Sequence, residues 1–271
     1  MLRLPLPAEA FMITSRIFKS ARLPLALLAL ALGCARAEAA TLTVLTAGAY
    51  KPVLMALKAD FESAGGHSLL VDNDTAGALV KRIAGGERFD LVILPPSALE
   101  TLAASGRITA GPPTEVARVG IGVAVAAGAP KPDISTVAAF RQALLDARKV
   151  AFIDPASGGS SGPYLIRLFE KLGIAQEMKA KSLLVPGGLV ARRLVSGEAD
   201  LALHQISEIL AVNGAELVGP LPAEIQNETI YAAAIAADTL HRATVQALID
   251  VLTGPKAAKV LAEKGMTAPH P

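Results

Sequence analysis

The sequence predicts an α/β protein built of two Rossmann-like lobes joined by a two-strand hinge. Three observations lead there. After residue 40, short β-branched or apolar runs alternate with segments of helical period, the pattern of parallel strands linked by helical crossovers. The alternation occurs twice, and a Gly/Pro-rich turn at Gly128-Ala129-Pro130-Lys131-Pro132 divides the two units. A late apolar run, Ile230 to Ala236, then reads as a strand returning to the first unit. The implied boundaries are residues 41–121 plus 230–271 for lobe one and 122–229 for lobe two.

In the first unit, Thr41 to Leu45 reads as a strand. Pro52 suits the first turn of a helix, with Val53, Leu54, Leu57 and Phe61 on one face. Leu69 to Val71 is a second strand, Leu79, Val80 and Ile83 open a second helix, and Asp90 to Leu94 is a third strand stopped by Pro95-Pro96. Val119 to Val125 reads as one strand leading into the Gly/Pro turn. The second unit follows with strand Val150 to Ile153, helix Tyr164 to Leu172, a strand near Leu183 to Val185, a helix near Val190 to Val195, and strand Leu201 to Leu203. After the return strand, helices are expected around Leu240 to Leu252 and Lys256 to Lys264.

Residues 1–40 differ in texture. Arg16, Lys19 and Arg22 precede an apolar run from Leu23 to Leu32, and Ala35, Ala37, Ala39 and Ala40 follow it. That order of charge, apolar core and small residues is expected of a cleaved secretory signal, which implies a periplasmic mature protein. Met12 would give a more usual signal length than Met1. A lipid-anchoring signal at Leu32-Gly33-Cys34 is the alternative, and Cys34 is the only cysteine. Removing the segment takes away Arg3, Arg16, Lys19, Arg22, Arg36, Glu9 and Glu38, leaving 21 basic against 22 acidic residues and a formal net charge of −1. Without a basic excess or tryptophan, a nucleic-acid partner is not expected. Four histidines at 67, 204, 241 and 270 show no metal-ligand spacing, and neither metal nor cofactor is expected.

Four segments resemble the molybdate-binding family of periplasmic solute-binding proteins: Val44 to Tyr50, Thr75 to Ile83, Phe89 to Ile93, and Gly197-Glu198-Ala199-Asp200. The resemblance runs from about Thr41 to Pro269. It implies the type II periplasmic binding protein fold, a small anion as ligand, an ABC importer permease as partner, a monomer, and a binding protein rather than an enzyme. It also implies that strand-to-helix loops hold the ligand through free amides, helix N-termini and hydroxyls. Mapped onto this chain, those loops are Ala47, Gly48, Ala49 and Tyr50, then Thr75, Ala76 and Gly77, and a third at Gly188 and Val190. Ala49, Ala76 and Gln205 stand where the family carries hydroxyls. A molybdate- or tungstate-like oxyanion and a small organic carboxylate therefore both stay open as ligands.

The residues add their own candidates. Ser157, Ser160 and Ser161 lie in a glycine-rich loop between a strand and a helix, where they either complete an anion cage from lobe two or merely satisfy local turns. Gly158-Gly159-Ser160-Ser161-Gly162 also fits a hydrolase nucleophile motif, with Asp200 and His204 downstream, but the loop is wide and no His-Gly-Gly oxyanion motif is present. His204 and Gln205 end a strand and could donate to an anion. Lys51, Arg192 and Arg193 read as solvated helix charges, Lys51 at the start of the first binding helix.

Overall fold

The computed structural model describes residues 39–269. The signal segment and Cys34 lie outside the described residues, apart from Ala39 and Ala40. Ten strands form two five-stranded sheets, each wrapped by helices. The first contains β1 (Thr41–Ala47), β2 (Ser68–Asp74), β3 (Leu91–Leu94), β4 (Thr114–Val119) and β10 (Thr229–Ile235), in the order β2-β1-β3-β10-β4. The second contains β5 (Ile121–Ala126), β6 (Val150–Ile153), β7 (Ser182–Val185), β8 (Leu201–Gln205) and β9 (Ala215–Pro220), in the order β7-β6-β8-β5-β9. In both sheets one strand runs antiparallel to the neighbours on its two sides, β10 in the first and β5 in the second.

Composition explains the layering. β3 (LVIL) and β6 (VAFI) are buried at every position, as expected of central strands with helices on both faces. Around lobe one pack α1 (Lys51–Gly65), α2 (Ala76–Ala84), α3 (Pro96–Ala104), α9 (Arg242–Thr253) and α10 (Pro255–Glu263). Helix α1 turns Val53, Leu54, Leu57 and Phe61 inward. Lobe two carries α4 (Val137–Asp146), α5 (Ser161–Lys171), α6 (Ala175–Lys181), α7 (Arg192–Val195) and the single turn α8 (Ile206–Ile209). Its core has Phe152 against Phe169, edge to face with centroids 5.5 Å apart.

Several elements differ from the sequence expectation. The apolar run Val119 to Val125 is two strands rather than one, because Gly120 carries the chain from the first sheet to the second. Pro95-Pro96 ends β3 but also begins α3, since proline suits a helix's first turn. β4, β9, α4, α6 and α8 were not marked by period or turn residues. The chain returns to lobe one between Pro220 and Thr229. There the Gln226 amide grips the outgoing crossing: Ile121 N–H donates to its Oε1 at 2.9 Å, and its Nε2 donates to the Ile121 carbonyl at 3.0 Å. A Cβ on Gly120 would stand 2.9 Å from that Nε2, so the two crossings lie in direct contact. Among the described residues no helix is long and apolar enough to cross a membrane.

The Phe152 site gives the fold a direct check. Phe152→Ala removes a fully buried ring from lobe two and leaves a cavity, so it should cost about 3–5 kcal/mol, read from the urea midpoint at unchanged slope.

Candidate functional site

Strands β1, β2, β3 and β6 lead at their C-terminal ends toward α1, α2, α3 and α5, and these loops meet between the lobes. They enclose a cavity of about 160 Å³. From lobe one come Ala47, Gly48 and Ala49, then Asn73, Asp74, Thr75 and Ala76, with Pro95 and Tyr231. From lobe two come Ile153, Gly159, Ser160, Ser161, Gly188, His204, Gln205 and Glu208. The first amides of each helix have no intrahelical partner, so the lining favours negative charge although no Lys or Arg side chain is part of it.

The lobes touch around this cavity. The Thr75 hydroxyl donates to the Ser157 carbonyl at 2.6 Å, and Gly77 N–H donates to the Gly158 carbonyl at 3.1 Å. A Cβ on Gly77 would lie 2.8 Å from Gly158 Cα, so only glycine permits this approach. Thr75 also caps α2 by accepting from Ala78 N–H at 3.2 Å. On the opposite side the Ser207 hydroxyl donates to the Ala49 carbonyl at 2.8 Å.

The chemistry is concentrated in the lobe-two wall. His204 and Gln205 finish β8 fully buried, and Glu208 follows on α8. His204 Nε2 lies 3.3 Å from Glu208 Oε2. Loss of water pushes Glu208 up to about 8 and His204 down to about 3. At neutral pH the pair is therefore a carboxylic acid facing a neutral imidazole. A ring that accepts the acid's proton at Nε2 carries its own on Nδ1, and that atom is buried with no protein partner among the described residues. Gln205 Nε2 meets the hydroxyls of Ser160 at 3.0 Å and Thr229 at 2.9 Å, while its Oε1 is buried without a partner. Both hydroxyls can donate as well as accept, so the amide can turn its N–H2 toward a ligand without losing either contact. Tyr231 faces Ser160 and Glu208, and burial holds its phenol far above the usual range. Glu208 Oε1 comes so close to Gly48 that a Cβ there would be 2.6 Å away.

Of the residues expected from sequence, Ala47, Gly48, Ala49, Thr75, Ala76, Ser160, Ser161, Gly188, His204 and Gln205 are brought together around this cavity. Four are not. Tyr50, the N-cap residue of α1, is fully buried in the lobe-one core. Gly77 serves the lobe contact described above. Ser157 offers its carbonyl to Thr75 and spends its hydroxyl on the Asp154 carbonyl. Val190 packs in the apolar core of lobe two. The hydrolase order fails on geometry, since Asp200 is tied to Arg148 through a backbone N–H at 2.7 Å and the guanidinium at 2.6 Å, and His204 turns Nε2 to Glu208. Sequence reasoning missed Asn73, Asp74, Pro95, Ile153, Glu208 and Tyr231, whereas Gly159 belongs to the glycine-rich loop it singled out. Asn73 and Asp74 adjoin Thr75, and Glu208 lies four residues after His204, which is the local signal that was available.

The buried pair sets a pH profile for stability. Between about pH 6.5 and 8 the folded chain keeps a Glu208 proton that the unfolded chain has released, so stability falls as pH rises, by roughly 1 kcal/mol per unit. Below about pH 4.5 the unfolded chain protonates His204 while the folded chain does not, and stability falls as pH drops. The two slopes cancel in between. Urea midpoints of the wild type minus those of Glu208→Gln should therefore decline from pH 6.5 to 8, and a flat difference would contradict the buried acid.

Comparison with known proteins follows the same geometry. A relative from Pseudomonas sp named aconitate isomerase is 36% identical over 232 residues, covering 83% of this chain and 87% of the relative. The expectation that the chain is not an enzyme is corrected by this relative, whose name is that of an enzyme. The Azotobacter vinelandii periplasmic molybdate-binding protein superposes with TM-score 0.70 at 21% identity, covering 84% of this chain and all of that one. The tungstate-binding protein of Desulfovibrio alaskensis G20 does so with TM-score 0.60 at 15% identity, covering 86% and 100%. Both share the two-lobed type II periplasmic binding protein fold. Residues 42–267 match the family described as bacterial extracellular solute-binding protein, and the chain belongs to that family.

Proposed function

We propose that this protein is an isomerase that moves a double bond within a small polycarboxylate of the aconitate class, using the closed cleft of a solute-binding scaffold. The observation that carries the reading is Glu208, a buried, proton-holding carboxyl facing an interlobe cavity lined by helix N-termini. The relative named aconitate isomerase supports the substrate class.

Aconitate is a propene bearing one carboxylate on each carbon. Its methylene C–H bonds are acidified by the adjacent carboxylate and the conjugated double bond. When a base takes one of these protons, the electron pair spreads over three carbons and into carboxylate oxygen. Returning the proton to the far end of the three-carbon unit shifts the double bond by one position. The skeleton reads the same from either end, so the product has the same constitution. Its cis or trans geometry follows from how the pocket held the former single bond. One proton is taken and one returned, and no electrons are gained or lost.

Glu208 is suited to carry that proton. Its raised pKa makes the carboxylate a stronger base than an exposed one, at the cost of leaving only about a tenth ionised at pH 7. His204 orients the carboxyl through Oε2 and leaves Oε1 toward the cavity. The unpartnered His204 Nδ1 and the Gln205 amide then supply donors for substrate carboxylates.

Family membership supports export to the periplasm and hand-over of ligand to an ABC importer permease by a monomer. Capture of a tetrahedral oxyanion such as molybdate is the second ligand reading, favoured by the helix N-termini around the cavity. In that reading Tyr231 and Ser160 supply hydroxyls where Ala49, Ala76 and Gln205 do not.

The test is to incubate the mature protein with either isomer of aconitate and follow the other by proton NMR. Turnover should rise with pH through about 8, as Glu208 ionises. Glu208→Gln should stay folded and lose about 10²–10⁴-fold in kcat. A folded wild type that converts neither isomer, while binding molybdate tightly by calorimetry, would replace this reading by the second.

A further inference from the structure

We propose that Asn73, held in one orientation by Lys51, donates to the substrate carboxylate that takes up negative charge as Glu208 removes the proton; this rests on the isomerase reading. The β1–β2 register sets Asn73 beside Thr46, so its side chain emerges at the sheet edge next to the Ala47–Gly48–Ala49 loop. It lines the cavity. Lys51, in the first turn of α1, donates from Nζ to Asn73 Oδ1 at 2.6 Å.

That contact decides which way the amide faces. An ammonium can only donate, so the carbonyl oxygen of Asn73 must point at Lys51 and the N–H2 must point away from it. The Nδ2 atom lies 3.7 Å from the place where a Cβ on Gly48 would stand. Glu208 Oε1 lies 2.6 Å from that same place. The donor and the proton carrier thus border one glycine, one from each lobe, and both line the same cavity. Among the described residues the Asn73 N–H2 makes no hydrogen bond to protein.

The geometry fits the step. As Glu208 Oε1 forms its bond to hydrogen and the C–H bond breaks, the electron pair passes into the neighbouring carboxylate, whose oxygens gain charge. A fixed N–H2 beside that carboxylate stabilises the charge more in the transition state than in the ground state, the condition for raising kcat. The Lys51 charge polarises the amide without entering the cavity, so the site gains positive character where its lining has no cation. Asn73 touches substrate in this assignment, and Lys51 is a positioning residue.

Four variants and two probes test it. With aconitate, Asn73→Ala should lose about 10²–10³-fold in kcat with KM changed only a few-fold. Asn73→Asp, which keeps the shape and the Lys51 contact but has no donor, should lose as much. Lys51→Met should lower kcat by about tenfold, and Lys51→Arg should restore most of it. Calorimetry with propane-1,2,3-tricarboxylate, saturated and unable to react, should show Asn73→Ala binding within a few-fold of wild type. The assignment is overturned if either Asn73 variant keeps kcat within about threefold of wild type, or if the loss in kcat of Asn73→Ala is matched by an equal loss of tricarboxylate binding. Absence of wild-type turnover is a separate result, which counts against the isomerase reading itself.

Discussion

The contact between Glu208 and His204 is where the lobes, the cavity and the chemistry meet. A carboxyl can be kept this dry only if something excludes water from it, and here both lobes do so. Lobe two supplies His204 and the α8 turn, while lobe one presses Gly48 and the Ala49 carbonyl against that turn. Glycine at 48 is a steric requirement of this arrangement, since any side chain would displace the carboxyl. Dehydration raises the proton affinity of Glu208, and the same dehydration strengthens every dipole directed into the cavity.

The fold holds these groups with modest means. Two chain crossings pass side by side, and the Gln226 amide joins them by pairing with both backbone groups of Ile121. Distant from them, Thr75 and Gly77 reach lobe two through backbone carbonyls of the Ser157–Gly158 turn. Backbone acceptors do not depend on side-chain ionisation, so contact between the lobes is decoupled from the titration that the proposed chemistry needs.

An anionic substrate in a cavity without a lining cation is an apparent contradiction that dipoles resolve. Helix N-termini, the Nδ1–H of His204 and the amides of Asn73 and Gln205 provide positive ends without a mobile charge. Arg82 offsets the acidic residues nearby, pairing with Asp72 at 2.5 Å and lying 3.6 Å from Asp74. A full positive charge beside Glu208 would lower its proton affinity and weaken it as a base. Dipoles favour the substrate anion with less effect on that affinity.

What the sequence determined by itself was the alternation of strands and helices, the return strand, and the glycine- and serine-rich loops at strand ends. Those features are local: period, turn residues and capping are written within a few neighbouring positions. The split at Gly120 is not legible in the sequence because β4 ends and β5 begins in a buried apolar residue, Val119 and Ile121, so the run reads as continuous. The tertiary structure alone decided which side chains face the cavity. Asn73 and Glu208 lie more than 130 residues apart; Asn73 and Tyr231 come from two strands of lobe one and Glu208 from a helical turn of lobe two, and all three line the interlobe cavity. Their roles depend on burial and on one another's dipoles, and burial depends on the opposing lobe, so no local pattern could have singled them out. Tyr50 shows the converse: its place in a binding loop is legible in sequence, but its ring joins the lobe-one core just ahead of α1, because removing that surface from water outweighs display at the cleft.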